Sequence, residues 1–269
     1  PAFRARAAAS IDRRPLLQWS TIRVEWALRA PASNRESGES EAPGIRSRAC
    51  SSGSRMSTSV APWSIKALEA GKHVFVEKPM CITVEEGEQI VAKATEKGLI
   101  VRVGFNRRFS PYLGLMKQEI GDTGTRMFFG RINIGSISND WSNTPEEGGR
   151  LLGEGVHFFD LCNWCMGEAI ESVSSAIAGA RRNTNPNVMV QIQYAGGSSA
   201  QILYTSLGNP LAGKEYFEAH GNGRTVMMDD YQSIKVFGGK DRSNRQFRGD
   251  KGHLAGLEEF AAAIQGRSY

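Results

Sequence analysis

The sequence predicts an α/β protein in two parts: the C-terminal half of a doubly wound parallel sheet, then an α+β domain with a large open, mainly antiparallel sheet. Three observations predict it. Between residues 61 and 124, helix-like and strand-like patterns alternate, as in successive βαβ units. Beyond residue 125, six strand candidates crowd between Ile170 and Phe237, several separated by glycine turns, which suits antiparallel pairing. Finally, the first strand candidate ends on Glu77-Lys78-Pro79, and open α/β sheets bind ligands beyond the carboxyl ends of their strands.

Taken in order, Ile65 to Ala70 reads as a helix closed by Gly71, a residue suited to the position after a helix C-terminus. His73 to Val76 reads as a strand, ended by Pro79, which cannot donate to a ladder. Thr83-Val84-Glu85-Glu86 is a capping box. It opens a helix whose small or apolar positions are Val84, Gly87, Val91 and Ala94, with Gly98 as its stop. Leu99 to Phe105 is a second buried-type strand, and Ser110-Pro111 has the residue types of a helix start, Ser as N-cap and Pro at the first turn.

The texture changes at Arg126. Met127 to Ser136 is strand-like, Asn139 to Gly149 a polar loop, and Arg150 to Met166 a helix. The strand candidates that follow are Ile170–Ala178, Val188–Tyr194, Ser199–Thr205, Tyr216–His220, Thr225–Met228 and Ser233–Phe237. His253 to Gln265 closes the chain as a helix, the one element left to cover the sheet. An apolar sheet face left open is a partner surface, so a homo-oligomer is expected, most simply a twofold dimer. The expected organisation is therefore a front segment 1–60, a nucleotide-binding remainder 61–124, and a substrate and dimerisation domain 125–269.

Composition excludes several classes. Hydrophobic residues make up 40% of the chain, enough for a buried core. No apolar run approaches the roughly 18 residues of a membrane span. Cys50, Cys81, Cys162 and Cys165 form no disulfide framework, which predicts a reducing, cytoplasmic setting. Cys162-Asn163-Trp164-Cys165 sits in an apolar helix and reads as structural, and no metal site is expected. The net charge of +5 resides in the first 60 residues, which hold ten Arg, no Lys and five acids. The rest is balanced, so no nucleic-acid partner is expected.

That front segment is also rich in Ala and Ser, and its glycines are too scattered to cradle a pyrophosphate. It fits a transit segment, a disordered basic tail or an out-of-frame stretch. On each reading, residues 1–60 are expected to be poorly ordered, and the chain as written to bind a dinucleotide weakly or not at all.

Two stretches carry chemistry. Lys78 places an ammonium, or a tunable base, at a strand end. The second stretch runs from Glu146 to Asp160 and puts Glu154, His157 and Asp160 near one helix face. A His beside glycines and acids suits general acid/base work, although a His on an apolar helix also fits a hydrogen-bonded core position. Arg107 and Arg108, at another strand end, read either as a solvated pair or as ligands of a phosphate or carboxylate.

Ala67-Leu68-Glu69-Ala70-Gly71-Lys72-His73-Val74-Phe75-Val76-Glu77-Lys78-Pro79 resembles the signature of the Gfo/Idh/MocA oxidoreductases, NAD(P)-dependent dehydrogenases of sugars and cyclitols. The resemblance implies a Rossmann-like first domain, NAD or NADP as cofactor, and a substrate that is a sugar, nucleotide sugar or cyclitol. It also implies that Lys78 reaches the reacting hydroxyl and the nicotinamide, with Glu77, Pro79, Asn106 and Arg107 near the cofactor. The stretch ending at Asp160 resembles the family's second motif, D-x-G-x-H-x-x-D, so His157 matches the catalytic His and Asp160 the Asp after it. Gly153 replaces the first Asp, and Glu154 lies one position along. Gly104 to Phe109 and Asp250 to His253 resemble the branch found in bi-domain oxidoreductases. A family remnant that only dimerises or binds is the competing expectation, because the glycine-rich phosphate site is not recognisable.

Overall fold

The computed structural model describes residues 60–135, 149–179, 187–239 and 249–267, and the backbone of 242–244. The expectations for residues 1–59, and for most of the loop 139–149, fall outside the described residues.

The first layer is small. Helix α1 (Ala61–Glu69) leads to β1 (Val74–Val76), α2 (Val84–Lys97) and β2 (Val101–Val103). The two strands pair in parallel, Val74 opposite Val101. Thr83 and Glu86 form the expected capping box, and Gly98 closes α2 with a left-handed φ of 62°. The buried face of α2 is Gly87, Ile90 and Ala94, so Ile90 takes the place expected of Val91. Val74 and Val76 pack with Leu68, Ile90 and Ala94 on one side of the strands. Phe75, alternating to the other side, meets Phe260 at 5.6 Å between ring centroids.

Phe260 belongs to α5 (His253–Ile264), so the closing helix covers the small sheet and not the large one. Its approach depends on Gly252, whose φ is 81° and where a Cβ would lie 2.4 Å from the Phe109 carbonyl carbon. Arg102 of β2 ties down the same helix through an ion pair with Glu259.

A 3₁₀ turn (Asn106–Phe109) and α3 (Pro111–Ile120) connect to the second layer. Ser110 precedes α3 in extended conformation but does not cap it, because its hydroxyl donates to the Asp250 carbonyl at 2.8 Å. The buried Tyr112, Leu113, Met116 and Ile120 of α3 lie in the core of the large sheet, although residue 124 was the expected boundary.

That sheet comprises β3 (Met127–Asn133), β4 (Ile170–Ile177), β5 (Val188–Tyr194), β6 (Ser199–Thr205), β7 (Glu215–Gly221), β8 (Arg224–Asp229), β9 (Ser233–Phe237) and β10 (Arg242–Asn244). Their spatial order is β10-β9-β8-β7-β3-β6-β5-β4. Every neighbouring pair is antiparallel except β3 with β6, which runs parallel at the centre. Alternation sends Val190, Ile202, Ile132, Phe217, Val226 and Ile234 inward. They meet α3 and α4 (Val156–Met166), whose Phe158, Leu161, Cys162 and Cys165 are buried against them. The outer face is open and mixed: Met127, Met189 and Phe237 are exposed there, with Gln191, Gln201 and Lys235.

A candidate active site between two layers

The two chemically loaded stretches converge. Lys78 follows β1 directly, and its peptide bond to Pro79 is cis. Its Nζ donates to the Gly153 carbonyl at 2.5 Å. Gly153 sits in a π-helical turn (Leu151–Gly155) that runs straight into α4. The main-chain oxygen of the residue that departs from the family motif thus receives the lysine. Burial lowers the Lys78 pKa, with Arg107 and Lys214 adding to the effect while Glu154 and Glu77 oppose it. Glu77 is exposed, its carboxylate lying over Gly104, where a Cβ would approach it to 3.0 Å. Pro79 is partly buried at the end of β1.

Glu154 gathers donors. Tyr204 of β6 donates to its Oε2 at 2.6 Å and Arg150 at 3.2 Å, while Lys214 reaches Oε1 at 2.5 Å. Burial alone would raise this carboxyl; the Lys214 and Tyr204 bonds outweigh it and keep it below the usual range.

His157 opens α4, edge-on to Phe105 at 5.9 Å between ring centroids. Its Nδ1 is buried and has no hydrogen-bond partner among the described residues. Burial, together with Arg107 and Lys78, lowers its pKa to about 2. Where general acid/base work was expected of His157, burial and the two nearby cations favour the neutral ring. The expected face also splits. Asp160 turns away into a bidentate pair with Arg108, with two bonds of 2.7 Å. Complete burial raises the Asp160 carboxyl to about 7 and lowers the Arg108 guanidinium, with their mutual charge and two parallel bonds opposing both shifts.

Neither residue 106 nor residue 107 offers its side chain freely to a ligand. Asn106 donates to the Lys251 carbonyl at 2.8 Å. Arg107 binds Glu215 through Nε at 2.9 Å and Nη2 at 2.7 Å, with its guanidinium 4.7 Å from the Phe158 ring centroid. Tyr231 and Lys251 complete the shell of Glu215 at 3.0 and 3.2 Å. The sequence did not single out Tyr204, Lys214 or Glu215. One signal was available: Glu215 shares the inward parity of Phe217 and Ala219, so an acid lies on the apolar face of a strand.

Among the described residues no group of His, Cys, Asp and Glu could hold a metal, and no helix is long and apolar enough to cross a membrane. Cys162 and Cys165 are fully buried, and burial pushes the Cys165 thiol up to about 12.

A parallel β-α-β unit, a lysine at its strand end and, within electrostatic reach of it, a histidine whose Nδ1 has no partner among the described residues make up an α/β protein with acid/base groups near a strand end. Comparison with known proteins agrees. A family model described as the oxidoreductase family with an NAD-binding Rossmann fold matches residues 56–105, and the Gfo/Idh/MocA C-terminal domain matches residues 119–227. The chain belongs to the Gfo/Idh/MocA oxidoreductase family.

Over 117 residues it is 34% identical to a scyllo-inositol 2-dehydrogenase (NAD(+)) of Bacillus subtilis, covering 41% of this chain and 33% of that protein. A levoglucosan dehydrogenase of Pseudarthrobacter phenanthrenivorans is 25% identical over 223 residues, or 68% of this chain and 56% of that one. The chain thus spans about a third to just over half the length of these curated relatives. Among solved structures, the UDP-N-acetylglucosamine 3-dehydrogenase of Acidithiobacillus ferrooxidans superposes with a TM-score of 0.67 at 18% identity, over 79% of this chain and 68% of that one. This likeness shows the fold.

Proposed function

We propose that this chain carries the nicotinamide-facing and substrate-facing end of a site that moves a hydride between NAD(P) and a hydroxyl carbon of a sugar, nucleotide sugar or cyclitol. The observation that carries the reading is that a half-buried Lys78, held by the Gly153 carbonyl, lies within electrostatic reach of His157, whose Nδ1 has no partner among the described residues. The orphaned His157 nitrogen and the lysine fit an alcohol beside a nicotinamide. The pyrophosphate has no such fit, because the described residues include no glycine-rich strand-to-helix turn. Bound there, the cofactor would supply the hydride chemistry; the protein handles position and proton.

In oxidation, the Lys78 amine takes the hydroxyl proton. The Gly153 carbonyl aims that amine, and the Glu154 charge steadies the ammonium that forms. His157 bonds the same hydroxyl as a neutral ring. Asp160, through Arg108, holds the turn after β2 in place and touches no reacting atom.

The test is nicotinamide reduction with millimolar NAD⁺ or NADP⁺ and a panel of hexoses, cyclitols and nucleotide sugars. Oxidation should rise with pH through a lysine pKa lying below its usual value of about 10.4, since the free amine is the base. The reverse reaction should fall over the same range, and no step should appear near pH 6.5 from His157. If no polyol supports reduction although cofactor binding is measured, the competing reading of a binding or dimerising module stands instead.

The open outer face of the large sheet, with Met127, Met189 and Phe237 exposed, favours self-association as a twofold dimer. Sedimentation velocity at micromolar concentration should show a dimer that Met189→Glu weakens; a monomer throughout would end this assignment.

A further inference from the structure

Lys214 is a partner of Glu154, and it has a further consequence for Lys78. It stands at the foot of β7, on a backbone fixed to β3, since the Asn133 amide donates to its carbonyl at 2.8 Å. Arg131 and Asn133 both donate to the preceding Gly213 carbonyl, at 3.3 and 3.4 Å. From this anchored position its ammonium binds Glu154 Oε1 at 2.5 Å with a side chain that is 41% exposed. Glu154 follows Gly153 in the same π-helical turn, and the Gly153 carbonyl is the acceptor for Lys78.

We propose that Lys214 is a positioning residue for Lys78: by clamping Glu154 to the large sheet, it fixes the turn whose Gly153 carbonyl holds the lysine and it balances the carboxylate charge that lysine feels. A Lys78 facing an unclamped Glu154 would be drawn towards the acid and held as an ammonium. With Lys214 in place, Glu154 is already shared among Lys214, Tyr204 and Arg150, and Lys78 keeps the carbonyl as its partner.

The charged and titratable groups around Lys78 come from every neighbouring element. Glu77 lies on its own strand end, Arg107 on the 3₁₀ turn, Glu154 on the π-helical turn and Lys214 before β7. His157 at the start of α4 also lies within electrostatic reach. Arg107 is committed to Glu215 and Glu77 is exposed, so Lys214 is the neighbour whose removal alters both the turn and the charge.

The inference rests on Lys78 as the acid/base group, and its test is independent of turnover. In competitive labelling of the full chain with acetic anhydride, mass spectrometry gives the pH of half-labelling for each lysine, with exposed Lys66 as internal reference. Lys214→Met should raise the half-labelling pH of Lys78 by about one unit, the scale of one nearby charge. Two effects share that sign: a positive neighbour is lost and Glu154 is freed. Lys214→Arg should restore the original value. An unchanged Lys78 in a folded Lys214→Met protein overturns the proposal. Should Lys214→Met fail to fold by circular dichroism, Lys214→Gln carries the test: a raised half-labelling pH of Lys78 supports the clamp and an unaltered one overturns it. Near-normal turnover in a Lys78 variant would remove the catalytic reading while leaving this labelling result standing.

Discussion

Lys78→Ala is expected to reduce turnover at least about 100-fold, equivalent to about 2.7 kcal/mol of transition-state stabilisation. The expectation follows from what surrounds the Nζ. It is aimed by the Gly153 carbonyl at 2.5 Å, and burial lowers its pKa towards the working range of a base. Alanine removes the proton acceptor and leaves the His157 ring, whose basicity is lowered by burial and by Arg107. KM for the polyol should change far less than kcat, because the proton moves only in the transition state. Lys78→Arg should not rescue turnover, since a guanidinium stays protonated at any working pH. Steady-state kinetics on a well-folded variant decides the matter, and turnover within a few-fold of wild type would remove Lys78 from the chemistry.

The features that made Lys78 visible in the sequence were local. A strand of four residues, a proline stop and a lysine between them are read within one short window. The α2 capping box at Thr83 and Glu86 and the alternation of β5 and β6 were legible for the same reason: period and cap are properties of neighbouring residues. Strand direction is not. The parallel pairing of β3 with β6 is set by contacts across more than seventy residues, and close spacing predicted a mainly antiparallel sheet without showing which pair departs from it. The site shows the same divide. His157 and Glu154 announced themselves in one glycine-rich stretch, whereas the partners that fix their ionisation, Arg107 and Lys214, arrive from other elements. Asp160 sat on the expected helix but turned to Arg108, a pairing across 52 positions. Residue spacing located the acids and bases; burial and long-range pairing assigned their protons.

Glu215 is the residue at which that long-range pairing should matter most for stability. Its side chain is fully buried and its two carboxylate oxygens take four bonds: two from Arg107, one from Tyr231 and one from Lys251. Glu215→Ala would strand a buried guanidinium and a buried phenol together. Breaking one side of a buried ion pair costs about 3–5 kcal/mol, so Tm should fall by on the order of 10 °C. Arg107→Met combined with Glu215→Leu should cost less than Glu215→Ala alone, since no unpaired charge remains. Acid gives an independent check. Burial by itself would raise the Glu215 carboxyl, but the Arg107 bonds and charge, aided by Lys251, hold it down at about 2. The folded pKa thus lies below the unfolded value of about 4.3, so its stabilisation is complete above that pH and is lost as pH falls towards 2. Urea unfolding between pH 7 and 3 should therefore show a shallower acid loss in the double variant than in wild type. Equal acid slopes, or a Glu215→Ala midpoint close to wild type, would mean that water and not Glu215 satisfies Arg107. That outcome would also weaken the case for Arg107 as the fixed positive charge that keeps His157 neutral and Lys78 a usable base.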